Sequence, residues 1–301
     1  MQRKRFARVL LTAIILLLPV LAVQPAFFTP GMAVHADSED VDAVRQVKDY
    51  LKNSIAELEQ IESIINDPDL DLMGSEPDFD DDPDISPSEI SASKNDMLFW
   101  RDLAAGYADD LQSIAIEAES VDTPKHDILL QFEQSHNANA SLLLDVMIEY
   151  EQIMDYSAAL IELSEYLDSI NTNSADIYDV YEEISQALDN SIYLLEALEE
   201  PSFIRLSHLQ LVDALTQMDE SSMYLIDAAD IYDPVMLDAG EYRLDILTRR
   251  FESVIGNIER DFSGRDEKLT ADIETVERIN SGLLEWSRFN LDRLERDADY
   301  E

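Results

Sequence analysis

Apolar residues recur along most of this chain at alternating steps of four and three. Ile177, Tyr181, Ile184, Leu188, Leu195 and Leu198 fall on one such register, with Ser191 filling its gap. Ile153, Tyr156, Leu160, Leu163, Leu167 and Ile170 form a second. Ile204, Leu211, Leu215, Met218, Leu225 and Ala229 form a third, interrupted by His208 and Ser222. Leu244, Leu247, Phe251, Val254 and Ile258 form a fourth. That spacing puts the apolar side chains on one stripe of a helix, which must then pack on partner helices. Period-two alternation is missing, so no strands are expected.

Proline and small polar residues mark where the helices start. Ser86-Pro87-Ser88-Glu89 joins a capping box to a first-turn proline, and Thr123-Pro124 and Asp233-Pro234 repeat the cap-and-proline pair. Glu200-Pro201 has the proline with a poorer cap, and Asn173-Ser174 opens a helix without one. These signals predict six or seven helices near 38–66, 86–120, 124–171, 174–199, 201–232, 234–262 and 264–298. The third would be about 70 Å long if straight, with Ser135 to Ala140 as its weak point. Phe262-Ser263-Gly264 either breaks the last pair or lies within one long helix. Short connections near 171–173, 199–201 and 231–234 make those neighbours antiparallel. The expected fold is all-α: an elongated antiparallel helical bundle with coiled-coil-like seams. Gly106, Gly256 and Gly282 lie inside predicted helices, where close approach of another helix would compensate for their flexibility.

The ends of the pattern divide the chain. Residues 1–36 open with Arg3, Lys4, Arg5 and Arg8, continue as the apolar run Val9 to Val23, and reach small residues at Val34 and Ala36. This is the form of a secretory signal cut after Ala36, with Ala33 as a second candidate. The rival is an uncleaved anchor over residues 9–28, about 20 residues being enough to cross a bilayer. Either way the basic end stays inside and the rest is exported. Residues 37–66 form the first helix, 67–87 an acidic loop and 88–301 the main bundle.

Charge then changes the picture. The chain has 301 residues, 21 bases and 65 acids, for a formal charge of −44. All the acids lie beyond residue 36 with 17 of the bases, so the exported part carries −48. Nucleic acid is excluded as a partner, because its binding depends on neutralising phosphates with Lys and Arg. With no cysteine there are no disulfides, thiolate metal sites or lipid attachment of the bacterial lipoprotein kind. A charge this high repels itself and weakens the compact state in dilute buffer, whereas molar salt shortens the Debye length to about 3 Å. Lysine is scarce and aspartate outnumbers glutamate, which together point to a salt-loving host.

Chemistry-bearing residues are few. Within 67–87, Asp67, Asp69 and Asp71 alternate as in a calcium loop and Asp78 takes the twelfth position, but Leu72 stands where the loop needs glycine. A solvated acidic loop is the expected reading, and a weak site for calcium or another divalent ion the alternative. His126, His136 and His208 have no partner histidine four residues away, so no zinc pair forms on a helix face. Glu133 to His136 is a single Glu-x-x-His match where a diiron bundle needs two. His208 occupies a seam position, as a boundary histidine bonded to a neighbour or, alternatively, as a pH switch. Tyrosines cluster along 150–242, which suits seam edges with wet hydroxyls better than a cage for a cation. Asn139-Ala140-Ser141 is a glycosylation sequon. Without a nucleophile elbow or phosphate loop, an enzyme is disfavoured. The expected function is a non-catalytic exported protein working through a protein partner in the cell envelope. It would need no cofactor, and would touch membrane only through the N-terminal segment. A ligand- or cation-binding sensory domain is the alternative.

Overall fold

The computed structural model describes residues 41–69, 87–120, 127–170 and 177–298. Residues 1–36, expected to be an export signal, lie outside them, as do most of the acidic loop and the 171–176 connection. Among the described residues there are six α-helices and no strand: α1 (Val41–Ile65), α2 (Pro87–Ser120), α3 (Asp127–Asp168), α4 (Ile177–Glu196), α5 (Arg205–Asp230) and α6 (Pro234–Ala298). A short 3-10 turn, Ser202–Ile204, leads into α5. The protein is an all-α helical bundle. None of the described helices is long and apolar enough to cross a membrane.

The chain forms two compact units. The first contains α2 as far as Arg101, Glu151–Glu267, and so α4 and α5; the second contains α1, Asp102–Tyr150 and the chain from Lys268 onward. In the first unit, the third register is buried along its whole length: Ile204, His208, Leu211, Leu215, Met218, Ser222, Leu225 and Ala229 are all enclosed. Partners on α5 and α6 run in opposite order, Ser207 with Asp261, Asp213 with Arg250 and Glu220 with Arg243, so these helices are antiparallel. Lys94 with Glu162 and Arg101 with Asp155 set α2 against α3 in the same sense. One position departs from the expected registers. Ile177 is exposed, because it stands in the first turn of α4 before the seam closes at Tyr181.

In the second unit, Val47, Tyr50, Leu51 and Leu58 of α1 pack with Leu129 and Phe132 of α3 and with Leu283, Leu284, Trp286 and Leu294 of α6. Phe132 lies stacked on Trp286, ring centres 4.9 Å apart, and edge-on to Tyr50 at 6.2 Å.

Two local expectations are resolved. Residues 262–264 do not break the last helix, since buried positions continue through Phe262, Asp266, Leu269, Val276, Asn280 and Leu283 while Gly264 faces outward. An outward glycine costs a helix only about 1 kcal/mol. Nor is Ser135 to Ala140 a weak point. The helix runs through it unbroken, with His136, Asn139 and Ala140 buried.

The turn between α5 and α6 follows its sequence signal. Asp233 Oδ1 accepts the Val235 and Met236 backbone N–H groups at 2.9 and 3.2 Å, with Pro234 as the first helical residue. Close helix approach, by contrast, occurs at a glycine the pattern did not mark. A Cβ on Gly240 would lie 2.5 Å from Leu225 Cδ2, whereas one on Gly106 would meet nothing.

Candidate functional site

Of the four aspartates proposed for a divalent ion, Asp71 and Asp78 lie outside the described residues. Asp67 and Asp69 follow the end of α1, where Asn66 caps the helix by donating to the Glu62 carbonyl at 2.8 Å. Asp67 Oδ1 accepts the Asp69 N–H at 2.8 Å, and its carboxylate also takes a hydrogen bond from Tyr107, whose phenol is pushed well above its ordinary value by burial and these acids. Asp67 is therefore already engaged with the protein. No group of three or more potential metal ligands converges among the described residues.

Two groups of buried side chains with histidine, asparagine or carboxylate chemistry stand out, one in each unit. In the second unit, the Asn280 side-chain amide donates to the Leu58 carbonyl at 2.9 Å, and its Oδ1 stands 3.5 Å from the Asn139 amide. One turn back along α3, His136 is only 2% exposed, with Nδ1 3.5 Å from Glu57 Oε2. That carboxylate favours a charged ring, but removal from water opposes it and is the larger effect. His136 Nε2 has no hydrogen-bond partner to support a second N–H. The ring is accordingly held neutral, its pKa pushed down to about 4 by burial. Trp286 Nε1 and Asn139 Oδ1 are likewise enclosed without a partner. This layer aligns three helices by hydrogen bonds, and it presents no nucleophile beside a base.

In the first unit, the Tyr156 hydroxyl lies 3.2 Å from His208 Nδ1, and the Tyr156 ring meets His208 and Phe262 edge-on at 5.7 and 5.9 Å. Burial lowers the His208 pKa, with Glu200 opposing, and raises that of Tyr156. Both shifts favour neutral partners, and the tautomer of the ring sets which of the two donates. His208 is thus bonded to a neighbour, as the seam position implied, but it is enclosed rather than at a boundary. Asp266 is also buried, its Oδ2 unpartnered and its pKa pushed up to about 6 by burial, with Glu267 adding to the effect.

The remaining sequence candidates separate in space. His126 lies outside the described residues. Asn139 is 1% exposed inside α3, so the sequon is closed in the folded protein. Glu57, Asn280, Trp286 and Asp266 are not evident from motifs. The fourth register gives no signal for Asn280, because its four-and-three steps extended through α6 fall on Thr275, Ile279 and Gly282, one position before the buried Val276, Asn280 and Leu283.

No family model, curated protein or solved structure matches this chain.

Proposed function

We propose that the chain is exported and acts without catalysis, as a protein-interaction or structural component of the cell envelope or extracellular space. The observation that carries this reading is the placement of large apolar side chains outside a very acidic bundle. Tyr193, Leu206, Leu209, Tyr232, Val235 and Tyr242 are all exposed. Scattered apolar residues are ordinary on a protein surface, but Val235 and Tyr242 share one face of α6 next to Tyr232, and a contiguous apolar patch is typical of a binding surface. The basic and then apolar N-terminus supports export, and the small residues at Val34 and Ala36 support a mature start at Asp37. The charge is read as a hydrated surface suited to high salt.

The main test is a pull-down from envelope fractions at native salt. The reading expects a defined partner that binds saturably, and a protein that stays solitary under those conditions would refute it. N-terminal mass spectrometry of the exported protein should find Asp37 first. Melting temperature should rise by several degrees from 0.01 M to about 1 M salt as the repulsion is screened. A flat profile would remove the salt-adaptation component.

A further inference from the structure

The α6 helix begins with an apolar stripe that none of the other described residues encloses. Val235, Ala239, Tyr242 and Ile246 recur at four-and-three spacing and so share one narrow face, separate from the face that buries Gly240, Leu247, Phe251 and Val254. All four are exposed, Val235 by 75% and Tyr242 by 70%. The turn before them adds Ile231 and Tyr232, also exposed.

Tyr232 is the second sign. It ends α5 in the left-handed region with φ 53°, where the Asp233 N–H reaches back to Ala228 at 3.0 Å and its own N–H to Ala229 at 3.1 Å. Glycine is the usual residue at this position, and a bulky side chain is disfavoured there. With Tyr232 89% exposed, packing against the described residues does not compensate for that conformation.

The rims of the face carry charge. Asp238, Asp245 and Glu252 recur at every seventh position along one edge. On the other edge Arg250 is held 2.6 Å from Asp213, and Arg243 lies 3.5 Å from Glu220. A second copy packed in parallel would set Asp238 and Asp245 against those same arginines, which α5 already engages. It would also bring together two chains of −44 each. A basic partner avoids both obstacles, although Asp245 already holds the exposed Arg249 at 2.6 Å, and the field of the whole protein attracts it.

We propose that Ile231, Tyr232, Val235, Tyr242 and Ile246 form the docking face for an amphipathic helix of another protein, one with lysine or arginine beside its apolar stripe. This rests on the interaction reading above and gives it a place and a partner chemistry. The probe is a fluorescent 14-residue peptide of leucine and lysine at amphipathic helical spacing, titrated into the full chain and followed by anisotropy.

Saturable binding is expected. The triple variant Tyr232→Ser/Val235→Ser/Tyr242→Ser should weaken it at least about tenfold, the loss of roughly 1.4 kcal/mol. Leu206→Ser/Leu209→Ser, which removes another exposed apolar pair, should leave it within about twofold. Circular dichroism establishes that both variants are folded. The docking face is wrong if the triple variant binds like the parent, if a serine-and-lysine peptide binds as well as the leucine one, or if no peptide binds. It is also wrong if sedimentation shows a dimer that the triple variant dissociates, since the occupant is then a second copy. Capture of an identified envelope partner by the triple variant, undiminished, would remove this face while leaving the interaction reading intact.

Discussion

The two units solve the burial of polar residues differently. In the first, the polar positions of the α4 and α5 seams are mostly serine, and several satisfy themselves within their own helix. Ser191 donates to the Ala187 carbonyl and Ser222 to the Met218 carbonyl, at 2.7 and 3.0 Å. Such residues need nothing from a neighbouring helix, and their small size lets helices approach closely. In the second unit, Ser287 and Asn290 also bond within α6, at 2.8 Å each, but an asparagine pair reaches across. Asn280 holds α6 to the α1 backbone and faces Asn139 of α3, beside the stacked pair of Phe132 and Trp286. Self-satisfied serines leave helix register to apolar packing and to the few bonds that cross, such as Ser207 with Asp261 and Tyr156 with His208, whereas the asparagine pair specifies it between three helices at one level.

This contrast can be tested unit by unit, because the two tryptophans divide between them: Trp100 lies in the first unit and Trp286 in the second. The largest effect is expected in the aromatic core. Phe132→Ala should destabilise the second unit by about 3–5 kcal/mol, the usual cost of emptying a phenylalanine site. Denaturant unfolding followed by Trp286 emission in a Trp100→Phe background would measure it. A loss under about 1 kcal/mol would show that the stacked rings do not organise that core.

Acid should move the units in opposite directions. Unfolded, the His136 ring titrates near 6.5, and folded it titrates near 4. Above pH 6.5 neither state carries the proton. As pH falls from 6.5 to 4 the unfolded chain gains a proton that the folded chain excludes, so the second unit loses up to about 3 kcal/mol. Asp266 has the reverse sign, because its folded pKa is raised from 3.8 to about 6. The first unit bears its ionised, buried carboxylate above pH 6 and gains stability as pH falls from 6 to 3.8, up to about 3 kcal/mol. His136→Leu should flatten the acid loss seen by Trp286. Asp266→Asn should raise neutral-pH stability seen by Trp100 and abolish the gain. Equal acid profiles in parent and variants would show that neither group is responsible.

The smallest expected effects come from two glycines. Gly240→Ala drives a methyl group into Leu225, itself fully enclosed, and should cost about 1–2 kcal/mol despite the better helix propensity. Gly106→Ala meets open space and should stabilise by about 0.5–1 kcal/mol. Thermal melts of both variants compare them, and stabilisation by both would mean Leu225 yields without cost.

The same contrast explains what could be read from sequence. The α5 seam was legible residue by residue because its register repeats locally, from Ile204 to Ala229. The break between α5 and α6 was legible because Asp233-Pro234 has one strong local meaning. Gly240 was not, since its neighbour Leu225 is known only once two helices cross. His136 and Asn139 looked like a weakness in α3 because their isolated propensity is poor, and the partners that bury them come from α1 and α6. The candidate ion ligands divided for a similar reason: Asp67 is engaged by Tyr107, which belongs to a helix beyond the acidic loop.

The Asn280 network also has a consequence for the order of folding. The α4–α5 hairpin joins residues close in sequence and is complete once Asp230 has been synthesised. The bond from Asn280 to Leu58 spans 222 positions, and the facing Asn139 is 141 away. Contacts of such separation close slowly, because a long loop must be ordered before they form. During synthesis the first unit's hairpin can therefore assemble early. The second unit must wait, with Leu58 and Asn139 exposed, until nearly the whole chain has been made.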